Sequence, residues 1–500
     1  MIDRYKGSDK NLYTGIFTKY STSDMTTDKK DLILKYLQEQ IAQADFRARA
    51  YVYDEQNNKN PKRNCYVKLN KYYNDFLEGN TEIRWLALSG FRGVGKTTLL
   101  SQLYFETVQT EINKLFLSVD QITQIIGVTL SDVLSVYEEI LGSVFERLDK
   151  PVVLFLDEVQ YDSKWAITLK TIFDRSKKVF IFATGSSAVT LQTNPDVARR
   201  VIFEKLYPMS FTEFIKIKNN KFEIKGLSGK LRKAVFESNT AEEVFTQIKI
   251  LENVVRRYWT GIERLEVDRY MKYGTLPFAV KLKNEGLVYD QIKKILDRVV
   301  SMDIAQLGQF RNEIISKIPE ILYTVAATDI LSVTNLAPDL DIDRLTLTQV
   351  LNVLEKTETV LRVFPYGAHA TQVRKPSKYL FASPAFRSMY YNFVGNIIGQ
   401  DTYMGKLLED TVGLYLTRCL VNKNASLTYD SAAGGADFII RLFEQNIILE
   451  VGYGEKGFTQ INNTAKRVKS KYGLVVSRSP LLINESKTAV NIPLSHFLLL

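Results

Sequence analysis

The sequence predicts an α/β protein built on a parallel β-sheet of the P-loop NTPase type, followed by a helical lid and a winged helix-turn-helix. A glycine-rich loop with the pattern G-x-x-x-x-G-K-T lies between a buried strand pattern and a helix pattern. From Arg84 to Phe203, apolar strand-like runs alternate with helical patterns, which is typical of parallel sheets with crossover helices. From Asn312 to Asn392, helices are followed by two strand patterns and a turn, the order of a winged helix.

Composition sets the broad class of the protein. The 500 residues are 45% hydrophobic and 24% charged, which predicts a globular protein of several domains. No apolar run approaches the ~20 residues needed to span a bilayer, and the N-terminal residues contain no secretory signal. With only Cys65 and Cys419 present, we expect no disulfide framework and a cytoplasmic location without membrane contact. The net charge of +10 is compatible with a nucleic-acid partner but does not require one.

The loop after the first strand is the candidate site for ATP. Its glycines would let backbone N–H groups curl around the phosphates, and the following helix N-terminus favours an anion. Lys96 would reach the β- and γ-phosphates, and the hydroxyl of Thr97 would bind Mg²⁺. The residues predicted to contact the nucleotide here are Gly90, Gly93, Gly95, Lys96, Thr97 and Thr98.

Two acids follow a later strand of the same sheet. The predicted strands are Trp85–Leu88, Lys114–Val119, Val152–Leu156 and Val179–Ala183. The third of these ends in Asp157 and Glu158, the pattern of a Walker B element. Asp157 would hold Mg²⁺ directly or through water, and Glu158 would polarise the attacking water.

Two further positions are candidates for catalytic roles. Ser186 follows the fourth strand and could orient the lytic water, although a helix N-cap explains a serine there equally well. Arg199 and Arg200 lie on a predicted exposed turn. An arginine there could contact the γ-phosphate in the same chain or in a neighbouring subunit, and a solvated surface pair is the alternative.

The motifs taken together resemble one family. The segments GFRGVGKTTLL, LFLDEVQYDSKWAITLKTIFD, FATGSSAVTL and ARRVIFEKLYPMSFTEF are similar to those of bacterial and archaeal AAA-class P-loop ATPases. That family carries a C-terminal restriction-endonuclease-like domain of unknown function. The resemblance covers roughly residues 80–480. It implies that Arg92 contributes to the nucleotide site. It also implies that Arg200 matches the arginine that precedes the Leu-x-Pro-Leu-Ser-Phe-x-Glu-Phe segment in that family. The chain departs from the family pattern at Arg199, Met209 and Tyr273.

The resemblance also implies metal-binding acids near the C-terminus. Glu409, Asp437 and Glu450 match the acids of an endonuclease-like domain, which would bind Mg²⁺. Such domains carry Glu-x-Lys, whereas here Gly452 stands at the lysine position and Lys456 could substitute from the adjacent turn. We therefore expect a degenerate domain that binds nucleic acid or a partner, rather than an active nuclease.

The winged helix has two interpretations. Its second helix, 345–355, would enter a DNA groove, and basic residues of the wing fit phosphate contacts. These basic residues are Arg374, Lys375 and Lys378. However, the preceding turn carries Asp339, Asp341 and Asp343, which would repel phosphate. A packing module between the ATPase and the C-terminal domain is the favoured alternative.

These observations predict five segments and one principal function. The segments are an N-terminal mainly helical extension (1–80), the ATPase core (81–210), the helical lid (211–307), the winged helix (308–398) and the endonuclease-like domain (399–500). The principal hypothesis is Mg²⁺-dependent ATP hydrolysis that drives or gates a conformational change. One alternative is a nucleotide-switched DNA-binding or nuclease effector of defence or mobile elements, and another is a scaffold stabilised by ATP. An arginine acting between subunits would require an oligomer.

Overall fold

The computed structural model describes residues 25–107, 112–185, 198–308, 310–328, 330–394, 399–421, 423–443 and 445–500. The first part contains α1 (Thr27–Val52), α2 (Cys65–Leu77), β1 (Trp85–Ser89), α3 (Lys96–Glu106), β2 (Asn113–Ser118), α4 (Val119–Gln124), α5 (Leu130–Leu141), β3 (Val152–Asp157), α6 (Trp165–Arg175), β4 (Val179–Gly185) and β5 (Ile202–Lys205). The middle part contains α7 (Phe211–Asn219), α8 (Leu227–Phe236), α9 (Ala241–Trp259), α10 (Leu265–Arg269), α11 (Pro277–Lys281), α12 (Glu285–Arg298), α13 (Ala305–Gly308), α14 (Asn312–Ala327), β6 (Ile330–Leu331), α15 (Val333–Asp339) and α16 (Arg344–Lys356).

The last part contains β7 (Val360–Pro365), α17 (His369–Arg374), β8 (Ser377–Phe381), α18 (Pro384–Val394), α19 (Gln400–Leu420), β9 (Ala425–Tyr429), β10 (Phe438–Leu442), β11 (Gln445–Val451), α20 (Thr459–Ala465), β12 (Tyr472–Ser477), β13 (Leu482–Ile483), β14 (Ala489–Pro493) and α21 (Leu494–Phe497). Two π-helical segments, Tyr270–Gly274 and Val299–Ile304, follow α10 and α12. Among the helices described, none is both long and apolar enough to cross a bilayer.

The first sheet confirms the predicted parallel core. Within the described residues it has five parallel strands in the order β2-β3-β4-β1-β5. Strands β1, β3 and β4 are buried along their whole length, which explains their continuous apolar sequences. Because the strands are parallel, the P-loop after β1 and the polar ends of β3 and β4 meet at one edge.

The N-terminal helices α1 and α2 pack against the predicted ATPase core. Helix α1 agrees with the mainly helical character predicted for residues 1–80, and it packs beside α3. Its buried positions Ala44 and Ala48 are small, which lets the two helices approach closely. Ile33 and Leu37 lie in the same apolar cluster as Trp85 of β1. Sequence reasoning missed this because α1 is far from the P-loop in the sequence and shows only weak amphipathic character.

The second sheet joins two segments that the sequence separated. Within the described residues it runs β13-β14-β12-β11-β10-β9-β7-β8-β6. The predicted wing strands form the antiparallel pair β7–β8, and β7 also pairs in parallel with β9 at Phe364 and Thr428. The 398/399 boundary therefore does not divide the sheet. Moreover, α17 occupies the wing where the sequence suggested only a turn.

The helices of the predicted lid, 211–307, pack into two different apolar clusters. Residues of α7, α8 and α9 pack with the C-terminal strands and α19 in one apolar cluster. Residues of α11 and α12 pack with α3 and the P-loop in another. The segment 211–307 therefore connects the nucleotide-binding edge to the C-terminal part of the chain.

Burial of His496 in α21 predicts a pH dependence of stability. Nδ1 of His496 lies 3.3 Å from Ser495 Oγ, and its Nε2 has no hydrogen-bond partner among the described residues. Burial lowers the pKa of His496 to about 4, from 6.5. The unfolded chain therefore takes up a proton near pH 6.5 while the native chain does not, so stability falls as the pH drops from about 6.5 to about 4. The difference amounts to about 3 kcal/mol.

This prediction is checked with ¹³C-histidine NMR, since the chain has two histidines and a His369→Gln variant assigns them. We expect the His496 resonance to titrate near pH 4, and a midpoint near 6.5 would contradict the prediction.

Candidate active site

Close packing explains two glycines of the P-loop, which connects β1 to α3. A Cβ atom on Gly90 would lie 2.3 Å from the backbone oxygen of Leu206, which follows β5. A Cβ atom on Gly93 would lie 2.9 Å from Cδ1 of Ile295 on α12, and Gly93 has φ +82°. A side chain at Gly90 would push the loop away from the backbone after β5, and the positive φ of Gly93 disfavours any other residue there.

Lys96 and Thr97 lie at the start of α3, as the motif requires. The buried Lys96 ammonium donates to the carbonyl oxygens of Gly90 at 2.9 Å and Phe91 at 3.3 Å. The Thr97 hydroxyl donates to Asp157 Oδ2 at 2.7 Å. The structure therefore brings together the three side chains that the sequence assigned to phosphate and Mg²⁺ binding.

Asp157 lies at the end of β3 in a buried polar cluster. Its Oδ1 accepts a hydrogen bond from the Thr184 hydroxyl on β4. Burial and the adjacent Glu158 carboxylate raise the pKa of Asp157 to about 6. A hydroxyl oxygen beside a carboxylate is a hard-oxygen donor set, so Thr97 and Asp157 fit Mg²⁺.

Glu158 is held in an unusual backbone conformation. Its φ of +55° is in the left-handed region, which costs about 1 kcal/mol or more for a residue with a side chain. Its N–H donates to Thr184 Oγ1 at 3.2 Å, and its Oε2 accepts from Gln160 Nε2 at 2.5 Å. Ser186, the predicted polar residue at this edge, lies outside the described residues. Thr184, two positions earlier, makes the contacts with both acids.

Arg92 is tied to the segment that follows the lid helix α12. Its guanidinium makes two hydrogen bonds to Asp303, at 3.0 and 3.1 Å, and one to the Tyr161 hydroxyl at 2.8 Å. Asp303 lies in the second π-helical segment. Arg92 therefore connects the P-loop to the segment after α12, and it also lines the cleft described next.

The cleft above the P-loop contains cations that sequence reasoning missed. It has a volume of about 590 Å³ and reaches from the P-loop and Thr98 to α12. Lys281, Lys294 and Arg298 line it from α11 and α12. The signal was present in the sequence, since Lys294 and Arg298 are four residues apart and share one helix face. Tyr51, Asn60 and Pro61 of the N-terminal segment form the other wall.

Arg200 is not brought to the P-loop of its own chain. Its guanidinium forms an ion pair with Asp174 at 2.7 Å, just before the last residue of α6. The register pairs Ile202 with Leu86, at the start of β1, whereas the P-loop follows the other end of that strand. Arg200 therefore lies away from the P-loop of its own chain in this structure, and its contact with the γ-phosphate, in the same chain or in a neighbouring subunit, stays a prediction.

The three predicted C-terminal acids lie near one another, and each forms an ion pair with a lysine. Glu409 lies on α19, Asp437 immediately before β10 and Glu450 on β11. Lys378 of β8 forms ion pairs with Glu409 and with Asp437, and Lys456 pairs with Glu450 at 2.7 Å. A phosphate contact by Lys378 in the wing is therefore wrong, because its ammonium is buried among acids.

Two parts of the chain match described protein families, and two related proteins come from one archaeon. Residues 82–215 match a family described as an AAA domain, and residues 264–393 match a domain of unknown function, DUF8612. The uncharacterized protein MJ1637 of Methanocaldococcus jannaschii is 34% identical over 452 residues, 89% of this chain and 90% of that protein. A second uncharacterized protein of that organism, MJ1544, is 23% identical over 328 residues, 64% of this chain and 63% of that protein.

Solved structures show more distant similarity. The Walker-type ATPase paby2304 of Pyrococcus abyssi aligns with 66% of this chain and 95% of its own at 14% identity and a TM-score of 0.36. AMPPCP-bound DnaA from Aquifex aeolicus aligns with 59% of this chain and 89% of its own at 16% identity and a TM-score of 0.25. The family match over 82–215 shows that the chain contains an AAA-type P-loop ATPase domain.

Proposed function

We propose that this chain, which belongs to the same family as the uncharacterized protein MJ1637 of Methanocaldococcus jannaschii, binds ATP with Mg²⁺ and hydrolyses it. The observation that carries the proposal is the 2.7 Å contact between the Thr97 hydroxyl and Asp157, at the edge where the P-loop and Glu158 also lie. In an AAA domain, these are the groups that phosphoryl transfer to water requires.

Each side chain of the edge has a role in the proposed reaction. Lys96 and the N–H groups at the start of α3 bind the β- and γ-phosphates. Thr97 and Asp157 hold Mg²⁺, which neutralises charge on the phosphate oxygens when bound. Glu158 orients the water and accepts its proton, and Thr184 fixes the backbone of Glu158. Lys294 and Arg298 add positive charge from the lid side of the cleft.

Steady-state ATP turnover tests the proposal. We expect Lys96→Ala to lower turnover roughly 100-fold, because it removes the cation nearest the phosphates. Lys150→Ala, at an exposed turn, is the matched control and should keep the wild-type rate. Equal background rates in the wild type and Lys96→Ala would refute ATP hydrolysis at this site.

A buried ion network supports a conformational role for ATP. Arg63 donates to the P-loop carbonyl of Val94 at 2.7 Å and to Glu213 at 2.8 Å. Glu213, on α7, also pairs with Arg418 of α19 at 3.4 Å. Arg63 and Glu213 therefore link the P-loop backbone to Arg418 of α19, so a shift of the loop would change the contacts of α19.

A nucleotide-switched nuclease is the second candidate function. It is supported by the position of Lys456, whose side-chain carbons lie 2.7 to 2.9 Å from where a Cβ atom of Gly452 would stand. The Lys456 chain therefore fills the space of the missing motif lysine, and its ammonium contacts Glu450. The αβββαβ order of α19, β9, β10, β11, α20 and β12 agrees with an endonuclease-like domain.

Plasmid cleavage tests this second candidate. The chain is incubated with supercoiled plasmid and Mn²⁺, with and without ATP, beside an Asp437→Ala variant. The candidate predicts cleavage that ATP changes and that Asp437→Ala abolishes. Absence of cleavage under every condition, or cleavage that survives Asp437→Ala, removes it.

A further inference from the structure

Five charged side chains meet where the β7–β8 hairpin contacts the C-terminal domain. They are Glu409, Asp437, Glu450, Lys378 and Lys456, here called the carboxylate cluster. Lys378 comes from β8, outside the domain that supplies the acids, and its side chain is only 6% exposed. Its ammonium pairs with Glu409 and lies 3.1 Å from Asp437 Oδ1.

The protein's own donor groups face most of the carboxylate oxygens in the cluster. Asp437 Oδ2 accepts the N–H of Val451 at 2.9 Å, and Glu450 Oε2 accepts the N–H of Asp437 at 3.2 Å. Glu450 Oε1 faces the Lys456 ammonium at 2.7 Å, and Asp437 Oδ1 faces Lys378. Mg²⁺ and Mn²⁺ take about six oxygen ligands, so the arrangement described does not fit an open divalent-cation site. Within the described part of the chain, no group of three or more acidic, histidine or cysteine side chains is arranged to hold a metal.

The backbone of Lys378 is fixed from both sides. It pairs with Val363 of β7 and with Ile330 of β6, so neighbouring strands hold it in the sheet. Three residues further along β8, the N–H of Phe381 donates to Asp410 of α19 at 3.0 Å. The pairing of β8 with β6 and β7 therefore places the Lys378 ammonium at the cluster, and motion of a loop alone does not move its backbone away.

The geometry points to Lys378 as a built-in counter-ion that takes the place of a divalent cation in the carboxylate cluster. Its ammonium pairs with both Glu409 and Asp437, offsets one of their two negative charges, and connects the hairpin to α19 and to the residue before β10. The cluster is closed to Mg²⁺ and Mn²⁺ while Lys378 remains there. This inference rests on the ion pairs and not on ATP hydrolysis, so failure of the ATPase assay leaves it intact.

Mn²⁺ binding, followed by electron paramagnetic resonance without nucleotide, tests the inference. The wild type and Asp437→Asn should bind the same number of Mn²⁺ ions, because the cluster binds none in either. Lys378→Met should gain one Mn²⁺ site, because two acids lose their counter-ion. We expect the affinity of the cluster for Mn²⁺ to rise at least roughly 100-fold over that of the wild type. The double variant Lys378→Met/Asp437→Asn should lose that site again.

Lys375→Met is the matched control, since Lys375 lies exposed in the same hairpin and should leave Mn²⁺ binding unchanged. One more Mn²⁺ ion in the wild type than in Asp437→Asn would overturn the inference, and so would a folded Lys378→Met without a new site. If Lys378→Met fails to fold, the comparison of the wild type with Asp437→Asn decides. Mn²⁺-dependent plasmid cleavage by the wild type that Asp437→Ala abolishes would also overturn the inference, because the nuclease candidate requires a divalent cation at this cluster.

Discussion

Glu158→Gln is expected to lower the rate of ATP hydrolysis about 10³-fold while ATP binding stays near the wild-type level. The amide is almost the same size as the carboxylate and can still bond to Gln160, but it cannot accept a proton from the attacking water. Lys96, Thr97 and Asp157 remain in place, so the groups that hold ATP are unchanged. The variant should therefore trap the ATP-bound state.

Two measurements check this expectation. Single-turnover hydrolysis reports the chemical step, and equilibrium binding of a fluorescent ATP analogue reports affinity. Glu485→Gln, at an exposed turn, makes the same chemical change away from the site and should behave as the wild type. Wild-type turnover in Glu158→Gln would show that another group activates the water.

Glu213→Gln is expected to destabilise the chain by about 3–5 kcal/mol, the usual effect of removing one partner of a buried ion pair. Glu213 is 2% exposed and faces the guanidinium groups of Arg63 and Arg418. In the variant, the buried Arg63 and the partly buried Arg418 lose their counter-ion. The amide group also points an N–H₂ donor toward groups that are themselves donors.

The stability lost in Glu213→Gln should depend on pH in a defined direction. Burial alone would raise the pKa of Glu213, but Arg63 and Arg418 lower it far below its ordinary value of 4.5. The stability from the carboxylate is therefore present above about pH 4.5 and is lost as the pH falls further. Chemical denaturation at pH 7 and at pH 3 checks this: the gap between the wild type and Glu213→Gln should narrow at pH 3. Glu485→Gln again serves as the control, and an equal gap at both pH values would contradict the prediction.

Glu213 also tests the link between ATP and the C-terminal part. In the wild type, hydrogen exchange of α19 should change when ATP and Mg²⁺ are added, because Arg63 contacts both the P-loop and Glu213. In Glu213→Gln the change should be smaller at equal saturation with ATP. An unchanged response would mean that the network is structural only.

Local sequence patterns were sufficient to predict features whose residues are neighbours in the chain. The P-loop, the acids after β3 and the four core strands were predictable, because glycine spacing and continuous apolar runs depend on neighbouring residues. Lys294 and Arg298 could have been found by their spacing on α12, but nothing local indicated that α12 covers the P-loop. Arg200 shows a limit of motif spacing, since family spacing suggested a catalytic arginine, whereas the strand register places Arg200 at the far end of β1 within its own chain.

The sequence by itself determined the ATPase core and predicted its phosphate-binding residues, because those signals are short in range. Only the tertiary structure decided that Arg63 and Glu213 connect the P-loop to α19, and that Lys378 fills the C-terminal carboxylate cluster. These pairs are 31 to 205 residues apart in the chain. Their meeting depends on how β7 pairs with β9 and how α7 packs between two cores, which no local pattern encodes.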